Sequence, residues 1–226
     1  LYLCMVAVIF PMKATYRDEV PASTASAFGS LKEGIRYVWE DKTLFGLVIL
    51  SFIPSLFVMP ILQILPIFTE KVLHARADIY GYLMASFGVG GLLATLTMAS
   101  FGSTIRSGWM GILSLSSAAV MVILLSKSGL PGIAFCLLAA VGFTIMTFKV
   151  NNNTLVQMRA PDALRGRIMS IYQLDHALTP LSYTLLGACA DLFSAPAAMA
   201  ASGLLGLVSM VVLMASVKLI RELRKL

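Results

Sequence analysis

Residues 44–68 read LFGLVILSFIPSLFVMPILQILPIF, and from Leu44 to Phe68 there is no charged side chain. A helix needs about 20 mostly apolar residues, rising about 1.5 Å each, to cross the hydrocarbon layer of a bilayer. This run is long enough. It contains Pro54, Pro60 and Pro66. Proline removes a backbone donor and kinks a helix, and in lipid such kinks persist only where neighbouring helices or a cavity satisfy the freed carbonyls.

Five further stretches have the same character: Ile79–Phe101, Trp109–Leu125, Leu130–Gln157, Ile168–Ala190 and Ala195–Val217. Across 226 residues, 58% are hydrophobic and 12% charged, against roughly 25% charged in a soluble domain. A soluble fold of this size could not hide so much apolar surface. A disordered chain would need low hydrophobicity. The expected fold class is therefore an all-α membrane protein with six transmembrane helices. Leu1–Phe10 is apolar but too short to span, and it lacks the basic start and small-residue cleavage site of a signal peptide. It reads as a stub of a preceding helix, so the chain reads as a piece of something longer. The expected organisation is the end of a preceding transmembrane helix over 1–10, a cytoplasmic central linker over 11–43, a six-helix domain over 44–217 and a basic cytoplasmic tail over 218–226.

Charge sets the expected orientation. The net charge is +6, which in a soluble protein would raise nucleic acid as a partner. Here its distribution matters more, because basic residues near helix ends mark the cytoplasmic side. Thirteen Lys and Arg fall in the 11–43 segment, the 102–108 and 158–167 turns and the tail. Three, Lys71, Arg76 and Lys127, fall on the opposite side, and Lys149 lies inside a span. Both ends of the chain are expected in the cytoplasm, and nucleic acid is not an expected partner. Within the linker, Thr15–Ser30 reads as flexible. Leu31, Ile35, Val38 and Trp39 recur at helical spacing, as in an amphipathic helix lying at the membrane surface.

Small residues let helix backbones approach closely in lipid. Gly88, Gly90 and Gly91 are therefore packing candidates, as are Ser202, Gly203 and Gly206. Cys4, Cys136 and Cys189 sit unpaired in apolar runs and read as small buried hydrophobes. No nucleotide, zinc-ligand or kinase pattern appears, and neither His74 nor His176 has a nearby Ser or Cys nucleophile. No enzyme chemistry and no cofactor is expected.

Ionisable groups at membrane depth cost roughly 2.5–3.5 kcal/mol each on insertion scales. Lys149 and Asp175, with His176 adjacent, are the candidates. Lys149 lies 13 residues before Asp162 and Asp175 lies 13 after it. Two antiparallel helices joined at that turn bring both to similar depth, where they could pair. The competing reading of Lys149 is a side chain that snorkels to the interface. Asn152, Asn153 and Gln157 extend the Lys149 face, and Tyr172, Thr179 and Ser182 the Asp175 face. Adjacent residues on a helix diverge by about 100°, so only one of Asp175 and His176 is expected to face a cavity. Gln63, in the proline-rich span, is a further candidate for a polar lining.

The stretch Asn151–Tyr172, NNNTLVQMRAPDALRGRIMSIY, carries Pro161-Asp162 and Arg165-Gly166-Arg167 in a turn between spans. It resembles the corresponding loop of the major facilitator superfamily, in the branch of transmembrane secretion effectors. Tyr80-Gly81-Tyr82 followed by Gly88-Val89-Gly90-Gly91, and the entry Leu31-Lys32-Glu33-Gly34-Ile35-Arg36-Tyr37, are similar to that branch too. The resemblance implies twelve helices in two halves, of which this chain is the second. The missing N-terminal six-helix half would be its partner. It also implies secondary transport of a small-molecule substrate across a bacterial inner membrane, with export of drugs or siderophores driven by protons. The alternative is a non-transporting scaffold, or a half-transporter subunit that needs a partner half. In the residues themselves, Asp162 is placed to cap the next helix, and Arg165 and Arg167 to hold the loop at the headgroups. In the family reading the loop Asp162, Arg165, Gly166 and Arg167 also helps gate movement between halves.

Overall fold

The computed structural model describes residues 27–105 and 107–215. The expected helix stub over 1–10, most of the flexible linker and the tail over 218–226 lie outside the described residues. So does Arg106.

Every regular element among the described residues is helical. Helix α1 (Ala27–Glu40) precedes α2 (Lys42–Ile53), and Asp41 joins them. Asp41 caps α2, its Oδ1 accepting from the backbone N–H of Thr43 at 2.9 Å and of Leu44 at 3.2 Å. A capping carboxylate also suits the positive end of the helix dipole. The chain then passes through a π-helical turn, Pro54–Val58, into α3 (Ile61–Lys71). The three segments together form one membrane-capable stretch, Lys42–Lys71. The turn has a local cause. Pro54 offers no N–H to the helix behind it, and the Met59 N–H reaches back to the Pro54 carbonyl at 2.8 Å. The widened backbone leaves the Phe57 carbonyl to accept from the Ser202 hydroxyl.

The remaining helices are α4 (Ala77–Ile105), α5 (Gly108–Ser126), α6 (Pro131–Arg159), α7 (Arg165–Tyr172), α8 (Asp175–Leu192) and α9 (Ala195–Ala215). Five segments among the described residues are long and apolar enough to cross a membrane: Lys42–Lys71, Ala77–Phe101, Gly108–Ser126, Pro131–Arg159 and Ala195–Met214. The stretch read from the sequence as one helix over Ile168–Ala190 is two, α7 and α8, with a break at Gln173 and Leu174. Tight i→i+3 bonds from Leu174 to Ile171 and from His176 to Gln173 carry the chain across it. Polar residues at 173, 175 and 176 make this the least apolar of the six stretches.

Apolar side chains fill the core of the bundle and also cover much of its outside. Leu44, Leu65, Phe68, Leu83 and Ile145 are fully buried, whereas Leu92, Leu96, Leu185, Leu192, Val208 and Val211 are more than half exposed. Such a surface is stable only against hydrocarbon, since burial of apolar area is worth about 25 cal/mol per Å² relative to water. Cys136 and Cys189, expected to be buried, belong to this exposed surface.

The closest packing joins α4 to α6. A Cβ on Gly90 would stand 1.9 Å from the Ala139 carbonyl oxygen, and one on Gly142 would stand 2.1 Å from that of Phe87. The two backbones touch, and only glycine permits it. Gly91 packs more loosely, with a Cβ meeting Met146 at 3.0 Å. Gly88 does not take part in this seam: its Cβ would meet open space, because it lies on the opposite side of α4 from Gly90. Helix α9 uses the same device against α5, where Gly203 lies close under Ala119 and Ile123.

Candidate functional site

Three elements converge where α6 enters its polar half. The π-helical turn supplies Ser55, α6 supplies Lys149 and Asn153, and α8 begins with Asp175 and His176. The Asp175 carboxylate is only 3% exposed. Its Oδ2 accepts from the Ser55 hydroxyl at 2.8 Å, and its Oδ1 lies 2.6 Å from His176 Nδ1. A buried carboxylate is tolerable only when its oxygens are hydrogen-bonded, and these two partners meet that need. The His176 side chain is 67% exposed, so it covers the carboxylate on its open side.

Lys149, Asn153, Asp175 and His176 line a cavity of about 340 Å³, together with Tyr172, Gln173 and Phe148, and Ser55 stands behind Asp175 outside the lining. That volume falls within the range of small-molecule pockets. Asp175 and His176 both face the cavity, contrary to the divergence expected of neighbours on an ideal helix. Asp175 is the first residue of α8 and directly follows the 173–174 break, so its carboxylate folds back onto the next ring. Lys149 shares the cavity with Asp175, as the 13-and-13 spacing predicts, but no ion pair among the described residues joins them. Gln63 is exposed on α3 and is not part of the cavity lining.

Three consecutive asparagines have three separate tasks, because each turns about 100° from the last. Asn151 is fully buried and donates to the Ser107 carbonyl at 2.9 Å, tying α6 to the start of α5. Asn152 donates to the Leu47 carbonyl at 3.0 Å, tying α6 to α2. Asn153 lines the cavity and accepts from Gln157. Asn152, grouped from the sequence with the polar lining, is thus a structural link. Ser55 carried no signal in the sequence beyond its place beside Pro54.

A second constellation lies where α6 and α7 meet α1. Arg159 Nε bonds Asp41 Oδ2 at 2.9 Å, and Arg167 bonds Glu33. Gly34 allows this approach, since its Cβ would be 3.1 Å from Arg167 Cβ and 3.2 Å from Ile171 Cδ1. Asp162 does not cap α7 as expected. It pairs with Arg165 at 2.7 Å, and Leu164 stands at the cap position with no side-chain bond. Gly166 is exposed with open space around it.

A family profile for transmembrane secretion effectors matches residues 1–224. The chain belongs to this family of major facilitator superfamily transporters. It is 29% identical over 147 residues to the staphyloferrin A transporter of Staphylococcus aureus, covering 63% of this chain and 36% of that protein. It is 28% identical over 174 residues to the multidrug efflux pump Tap of Mycolicibacterium fortuitum, covering 74% and 41%. Over 224 residues it is 26% identical to the uncharacterized MFS-type transporter YjbB of Bacillus subtilis, covering 92% and 52%. The chain spans about half the length of these curated relatives, or less. No solved structure matches significantly. Within this family member, Asp175 is the most deeply buried carboxylate among the described residues and lies in the wall of the cavity.

Proposed function

We propose that the chain forms one six-helix half of a secondary transporter that exports small amphipathic compounds, such as drugs or siderophores, at the expense of a proton gradient. Family membership and the functions named for two relatives, a siderophore transporter and a multidrug efflux pump, support this reading. The observation that carries it is the Asp175 carboxylate, 3% exposed at the edge of a cavity and held by Ser55 and His176. Protonation turns one of its acceptor oxygens into a donor. The bond with Ser55 or His176 must then reverse its direction or yield. Ser55 belongs to the kinked first span and Asp175 to α8, so proton occupancy is coupled to how these elements pack. Substrate would bind near the midplane against Lys149, Asn153 and His176, enclosed by a second six-helix half, and rocking of the halves would alternate access.

The 13-to-3 division of basic residues supports an orientation with both chain ends in the cytoplasm of a bacterial cell and the bundle in its inner membrane. In this orientation the Arg167–Glu33 and Arg159–Asp41 pairs form a cytoplasmic clasp between α1 and the turn after α6. The exposed face of Leu31, Ile35 and Trp39 lies in the headgroup layer.

The reading is tested by efflux from cells expressing the full-length gene across a panel of amphipathic compounds. Asp175→Asn keeps the shape and the bond from Ser55 but cannot cycle a proton. Export falls to background while the protein remains in the membrane at normal abundance. Undiminished export by that variant removes Asp175 from the mechanism, and no export of any compound by the parent protein overturns the reading itself.

A further inference from the structure

The cavity holds two groups of opposite charge, but they are not equally available. Both oxygens of Asp175 are already engaged, one by Ser55 and one by His176. Lys149 is half-buried in the cavity wall, and among the described residues no carboxylate lies within ion-pair distance of its ammonium. An ammonium held at membrane depth without a counter-charge is costly. Nearby, Asn153 and Gln173 offer amide N–H donors, and Phe148 and Tyr172 offer aromatic surface. The engaged acid and the available base leave the cavity with a positive side that lacks its complement.

We infer that this cavity binds an anionic amphiphile, a compound with an aromatic or apolar body and a carboxylate that seats on the Lys149 ammonium. The inference rests on the transport reading and names its substrate class. Lys149 donates to the carboxylate, the neighbouring amides take its remaining lone pairs, and the aromatic walls receive the apolar body. An organic cation is poorly served here, because Asp175, the one carboxylate in the lining among the described residues, is 3% exposed and lies behind Ser55 and His176. The site therefore selects by charge, with the unfavourable placement of Lys149 relieved when the ligand arrives.

The experiment uses the full-length protein in detergent and two dyes with nearly the same three-ring body, fluorescein as the anion and rhodamine 123 as the cation. Binding is followed by fluorescence anisotropy at a fixed alkaline pH. The parent protein binds fluorescein about tenfold tighter or more, as expected for one hydrogen bond to a charged group. Lys149→Gln abolishes that preference and leaves rhodamine 123 binding unchanged. Lys149→Arg retains the preference. Preference for rhodamine 123, binding of neither dye, or equal loss of both dyes in Lys149→Gln overturns the proposal. Efflux of the same dyes from cells is measured in parallel. Charge-selective binding without export overturns the transport reading and leaves the anion site in place.

Discussion

The two ends of α6 are built on opposite principles. Around Gly142 its backbone lies directly on α4, with no room for a Cβ on either side of the contact. Around Lys149–Asn153 polar side chains join it to α2 and α5 and line the cavity. In lipid no hydrophobic force drives helices together, so the first end relies on dispersion and close fit. The second end adds hydrogen bonds between helices beside a cavity. The polar end can hold a ligand and change its bonding.

Substitutions can break this contrast, and the largest effect belongs to the close-packed end. Gly142→Leu forces a side chain into the Phe87 carbonyl, so the helices must separate. A loss of about 3 kcal/mol of stability is expected from overpacking of this severity, read as a large drop in the thermal midpoint of the full-length protein in detergent. An unchanged midpoint would show that the seam is not rigid. Asn152→Ala comes next. It removes the bond from α6 to the Leu47 carbonyl, at a cost of about 0.5–1.5 kcal/mol, and the same melting measurement detects it. Gly88→Ala is smallest and has the opposite sign. Gly88 touches nothing, so alanine stabilises the helix by at most about 1 kcal/mol through propensity alone. If Gly88→Ala were as damaging as Gly142→Leu, the assignment of the seam to one face of α4 would be wrong.

The sequence revealed the parts of this architecture that depend on composition and spacing. Long uncharged runs are visible without knowing what they pack against, and the equal separations of Lys149 and Asp175 from Asp162 brought both to one cavity. Which face of an apolar helix turns inward was not visible, because a helix that is apolar all round has almost no amphipathic signal. That is why Gly88 was grouped with Gly90 and Gly91, and why Cys136 and Cys189 were expected inside. The pairing of His176 with Asp175 escaped for a different reason. An ideal-helix angle was applied across a break that no proline or glycine announces. Asp162 shows a third limit: an Asp before a helix can cap it or pair with a nearby Arg, and the Arg165 side chain decides between them.

Asp41 divides its carboxylate between two structures. One oxygen closes the first turn of α2 and the other grips the end of α6 through Arg159. Any displacement that draws those two helix ends apart pulls on the same side chain that seals the entry of the chain into the bundle. The residue acts as a shared rivet. The mouth of α2 and the end of α6 thus share one anchor.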